Sequence, residues 1–196
     1  MTERLDLYAP IHKGLRHALS TCLLELGQMD PNDPVDAARA LAQLREVLSF
    51  LEDHLSIEER FVHAALDRVA AGGEGSAVSH AREDHAGHER EFAALRALIA
   101  DLERAEPLAR RARAHALYVA FSRFAGENLV HMAYEETALN PALWAAFSDQ
   151  ELLALRQAIL AAEPPASLER TVRWMLPALD PQQRAMLQPS QSTAAA

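Results

Sequence analysis

A chain of 196 residues that is 49% hydrophobic is long enough to bury a proper core within one domain. Its net charge of −9, from 19 Lys+Arg against 28 Asp+Glu, argues against a nucleic-acid partner or an anionic membrane surface. Cys22 is the single cysteine, which excludes an intramolecular disulfide and a thiolate metal cluster, and arginines and glutamates interrupt every candidate membrane span.

Acids at Glu3 and Asp6 stand where a signal peptide needs a basic start and an apolar run, so the expected location is cytoplasmic. Glycine is scarce, alanine and leucine abound, and the expected fold class is all-α. The first helix is expected from about Tyr8 to Met29, with Pro10 in its first turn and Asp30-Pro31-Asn32-Asp33-Pro34 ending it. A second helix follows from about Val35 to Ala71 and is broken by Gly72-Gly73-Glu74-Gly75-Ser76. The third runs from about Ala77 to Ala105. Pro107 opens the fourth, which reaches about Leu139 and is stopped or kinked at Asn140-Pro141.

Short connections between long helices imply antiparallel neighbours, hence an up-down-up-down four-helix bundle over residues 1–146. Ser148-Asp149-Gln150-Glu151 has the form of a capping box and opens a C-terminal extension of short helices, 147–188. Residues 189–196 read as a frayed tail. Trp174, Met175 and Leu176 in the extension are apolar enough to pack back onto the bundle or to form a homodimer contact.

Nine histidines are sorted by helix face. At about 100° per residue, Leu44, Val47, Leu48, Leu51, Leu55, Val62 and Leu66 form one stripe of the second helix. His54 and Glu58 fall inside that stripe and His63 well off it. The fourth helix repeats the anomaly: His131 and Glu135 lie near the centre of a stripe through Leu117, Phe121 and Phe124, and His115 lies opposite. On the first helix His12 sits on the flank of the stripe and His17 faces away. On the third the stripe admits both His85 and His88, and phase slightly prefers His88. His17, His63 and His115 are therefore expected to be solvated, and Glu59 and Glu136 to lie at the edge of the site.

An ionised carboxylate buried without a partner costs several kcal/mol or neutralises by a shift in its pKa. Two glutamates aimed into one core, with no lysine in either stripe, are relieved at once by divalent cations. Imidazole with carboxylate and no thiolate suits iron, manganese or zinc.

The ordered set Ile11-His12, His54-Leu55-Ser56-Ile57-Glu58-Glu59, Asp84-His85 and His131-Met132-Ala133-Tyr134-Glu135-Glu136, one element per helix, resembles the hemerythrin-like (HHE cation-binding) family over roughly residues 5–146. The resemblance implies two iron ions with an oxo or hydroxo bridge. Glu58 and Glu135 would bridge them, and His12, His54, His85 and His131 would be terminal ligands. It favours His85 where phase favoured His88. Oxygen-carrying members place a second histidine four residues along the third helix; here that position is Glu89. The function so implied is binding of dioxygen, nitric oxide, peroxide or a related small ligand, for sensing or storage. An enzyme that decomposes peroxide or acts as an oxidase is the alternative, and a helical interaction module without metal is a third.

Overall fold

The structure, a computed structural model, describes residues 4–69 and 77–187. The expected break at Gly72-Gly73-Glu74-Gly75-Ser76, the end of the second helix and the tail from Pro189 lie outside the described residues. Among those described, every regular element is helical, and no helix is long and apolar enough to cross a membrane.

Helix α1 (Ala9–Gln28) carries Pro10 in its first turn, and the Asp6 carboxylate accepts from the backbone N–H groups of Tyr8 and Ala9, donors that a helix start leaves unpaired. Helix α2 (Pro34–Ile57) is capped by Asp33, which accepts from the N–H groups of Val35 and Asp36. It runs without a break into a π turn, Glu58–His63, and then α3 (Ala64–Val69). Helix α4 spans Ala77–Glu103, and α5 (Pro107–Tyr134) runs into a second π turn, Glu135–Leu139, and α6 (Asn140–Ala146). The chain therefore stays helical through Asn140-Pro141. Pro141 falls in the first turn of α6, where its missing N–H is tolerated, and the irregularity lies one turn earlier. Ser148 and Glu151 form the expected capping box of α7 (Asp149–Ala162), followed by α8 (Pro165–Ala178) and α9 (Pro181–Leu187).

Helix α1 packs against α2, α5 and α8, and α4 packs against α5 and α2. The buried apolar side chains divide into two clusters. The larger includes Leu15, Leu19, Leu48, Leu51, Phe92, Leu95, Phe121 and Phe124. The smaller holds Tyr8, Val62, Leu66, Val78, Ala81, Leu139, Leu143 and Leu152. Helix α1 passes from the smaller cluster at Tyr8 to the larger at Leu15, α2 from the larger at Leu51 to the smaller at Val62 beyond it. Helix α4 again runs from smaller to larger and α5 from larger to smaller. The candidate ligands on all four helices fall where the chain crosses between the clusters, so a polar layer lies between two apolar ones. Full burial of a leucine such as Leu15 or Leu48 stabilises the fold by about 1.5–3 kcal/mol, which holds that layer in place.

The C-terminal helices lie back on this core. Met175 crosses α1 at Gly14, where an added Cβ would sit 2.9 Å from the Met175 Cα. Trp174 packs on the larger cluster and its Nε1 donates to Glu46 Oε1 at 2.9 Å.

Candidate metal centre

Helix geometry sets the site. Residues four apart on a helix lie one above the other, so His54 with Glu58 and His131 with Glu135 project together into the core. Each glutamate begins a π turn, a widened turn that is common at functional sites. Glu58 is 2% and Glu135 0% exposed, and His12, His54, His85 and His131 are all buried.

The two carboxylates each present their oxygens to different histidines. Glu58 Oε1 lies 3.0 Å from His54 Nε2 and 3.7 Å from His12 Nε2, and its Oε2 lies 3.4 Å from His85 Nε2. Glu135 Oε2 lies 3.4 Å from His12 Nε2, and its Oε1 lies 3.4 Å from His131 Nε2 and 3.9 Å from His85 Nε2. Two groups result, His12-His54-Glu58-Glu135 and Glu58-His85-His131-Glu135, which share both glutamates. Within each group, one ligand atom per residue lies within 4.8 Å of the others.

The donor set fits a pair of cations. Both oxygens of Glu58, both of Glu135, and Nε2 of His12 and His54 are buried without a hydrogen-bond partner, although oppositely charged atoms lie close by. Their lone pairs converge without the alignment of hydrogen bonds, at a cost that is high in a dry core. Three of the histidines are turned inward by a carboxylate behind them. Glu136 Oε1 lies 2.9 Å from His12 Nδ1, Glu59 Oε1 lies 3.1 Å from His85 Nδ1, and Asp84 Oδ2 lies 3.2 Å from His131 Nδ1. Such a partner fixes the ring and leaves Nε2 free to ligate.

Without metal, protons offset the buried charge. Burial pushes Glu135 up, and the neighbouring charge of Glu58 adds to this, to about 8. Burial lowers His12, but the carboxylates of Glu135, Glu136 and Glu58 outweigh it and raise it to about 10. Burial also raises Glu58, but the facing histidines, His54 foremost, hold it well below the usual carboxylate range. Burial, reinforced by the nearby His85, takes His131 down to about 4.

The profile of the hemerythrin HHE cation binding domain matches residues 5–143. The chain belongs to that family. No curated protein matches it. The match takes in the whole polar layer of this HHE domain and ends at Leu143 in α6, ahead of α7, α8 and α9.

The structure brings together all six expected residues and departs from the sequence reading elsewhere. His12, expected on a flank, is fully buried. His88 is buried too, but its Nδ1 turns to Glu91 Oε2 at 3.2 Å and it joins neither group. Glu89 is exposed. His115 is exposed as expected, whereas His17 is half-buried and edge-on to Trp174.

His63, expected in solvent, is 0% exposed. A regular α-helix puts His63 roughly 120° from Leu51, and the extra residue of the π turn slips the phase by about 100°, which returns it to the inner face. Tyr8, expected only as a helix start, is 1% exposed, and its ring centroid lies 5.2 Å from that of His12. The Tyr8-x-x-x-His12 spacing, the same four-residue step as in the two His-Glu pairs, is the signal that marks it.

Proposed function

We propose that this HHE domain holds a non-haem di-iron centre, with Glu58 and Glu135 bridging two ions and His12, His54, His85 and His131 as terminal ligands. The carrying observation is that each carboxylate gives one oxygen to the His12 side and the other to the His85 side. The reading takes the long helices as an up-down-up-down bundle, which the alternating order of the two apolar clusters along them supports.

Iron held there supplies open coordination positions and electrons for a small ligand such as dioxygen, nitric oxide or peroxide. With four histidines and two bridging carboxylates, roughly two positions of two six-coordinate ions remain open once a bridging oxygen is counted. The surrounding residues provide the cage. Tyr8, Leu139 and Val62 close it on one side, and Leu51 and Phe124 on the other.

The outward position of Glu89 favours a second reading, a di-iron enzyme that decomposes peroxide, because both open positions then stay available. Adding hydrogen peroxide to iron-loaded protein separates the two. A shift of the absorption spectrum without sustained oxygen release supports ligand binding, and steady turnover supports the enzyme.

A further inference from the structure

Beside the inner centre, Glu59, His63 and His85 form a second group whose ligand atoms lie within 4.8 Å of one another. His63 Nδ1 lies 3.2 Å from Glu59 Oε1, the same oxygen that His85 Nδ1 approaches at 3.1 Å. The His63 ring stacks on that of His85, with centroids 5.0 Å apart and planes 27° apart. Both nitrogens of His63 are buried with no aligned hydrogen-bond partner, so its burial is costly unless something else engages it.

His85 belongs to both groups. Its Nδ1 faces Glu59 at 3.1 Å, and its Nε2 faces the inner centre, 3.4 Å from Glu58 Oε2 and 3.0 Å from His131 Nε2. A cation beside Glu59 would engage the buried His63 and the outer edge of the same ring whose inner edge fronts the Glu58 carboxylate.

Glu59 and His85 also line an open groove of about 610 Å³ with Glu52, Glu89, Arg60, Arg82 and Arg96, and Arg82 Nε donates to Glu59 Oε2 at 3.2 Å, which leaves Oε1 to the two histidines. An ion arriving from solvent meets Glu59 before it meets the buried bridging carboxylates.

We propose that Glu59, His63 and His85 form an outer cation site that receives a divalent transition-metal ion such as Fe²⁺ and passes it inward through His85. The proposal rests on the di-iron reading of the inner centre. It is tested by anaerobic uptake of Fe²⁺ into the metal-free full-length chain, scoring iron protected from a ferrous chelator added at intervals. His63→Phe keeps an aromatic ring, somewhat larger, and removes both nitrogens; His63→Asn serves as a second, smaller variant should the first fail to fold. The expected result is an endpoint of two ions per chain in wild type and variant alike, reached about tenfold or more slowly in the variant. Uptake at the wild-type rate overturns the outer site alone. So does a variant endpoint below two ions, which would make His63 a ligand of the inner centre. A wild-type chain that protects no iron overturns the inner centre and this site together.

Discussion

Glu58 and Glu135 each stand at the first residue of a π turn, and each divides its two oxygens between the same two sides of the core. The widened turns begin at the two glutamates, so the His-x-x-x-Glu pairs keep regular α geometry while the helix beyond them changes phase. On α2 that change carries His63 inward.

Glu136 orients His12 from behind and also takes Arg16 Nη1 at 2.6 Å on the same oxygen. The hydrogen bond to His12, aided by Arg16, holds Glu136 at about 2 although partial burial opposes it. Glu136→Ala is expected to weaken metal affinity by roughly 10–100-fold with the fold intact, measured by competition with a chelator of known affinity. Glu136→Gln, which keeps an acceptor oxygen, is expected to lose less.

Metal loading should stabilise the chain, because the ligands meet only in the folded state. With free ion about a thousandfold above its Kd, one site contributes about 4 kcal/mol, which for a chain of this size raises Tm by roughly 10 °C. Thermal melts followed by circular dichroism with and without Fe²⁺, under anaerobic conditions, measure the difference. Equal melting temperatures would count against a buried site.

Gly14 is small because α8 crosses it closely. Gly14→Leu must displace the Met175 backbone, at a cost of about 1–3 kcal/mol. Trp174, which lies on the core in that helix, is expected to move its fluorescence to longer wavelength as it becomes wetted.

Glu91 lies between His88 and the Glu127–Arg123 pair at an open groove. Burial, with the facing Glu127, raises Glu91 to about 7. A carboxyl raised in the folded state contributes stability that is fully present below its unfolded value, about 4.5, and is lost as pH rises through 7. The lowered Glu127 acts in the opposite sense and below that window. Glu91→Gln should therefore gain stability relative to wild type between pH 5 and pH 8. The gain should be modest, because water screens the groove, and urea denaturation at the two pH values measures it.

Much of this arrangement is legible before the fold is known, for physical reasons that differ by residue. His54, Glu58, His131 and Glu135 interrupt apolar stripes whose period holds up to the glutamates, so helix phase alone finds them. His85 does not emerge from phase, since α4 is polar enough to offer two inward positions, and only the family resemblance chose it. His63 was hidden because counting at 100° per residue assumes a regular helix through a turn that is not regular. His12 looked marginal because a stripe shows where leucines point, whereas His12 is buried by Tyr8, His54, Glu58, Glu135 and Glu136.

In the proposed centre Glu58 and Glu135 bridge two ions. Iron analysis and the visible absorption spectrum of reconstituted wild type and Glu58→Ala test it most directly. About two irons per wild-type chain, with the absorption bands of an oxo-bridged diferric pair, are expected, and the loss of both in the variant. Two irons and an unchanged spectrum in Glu58→Ala would contradict it.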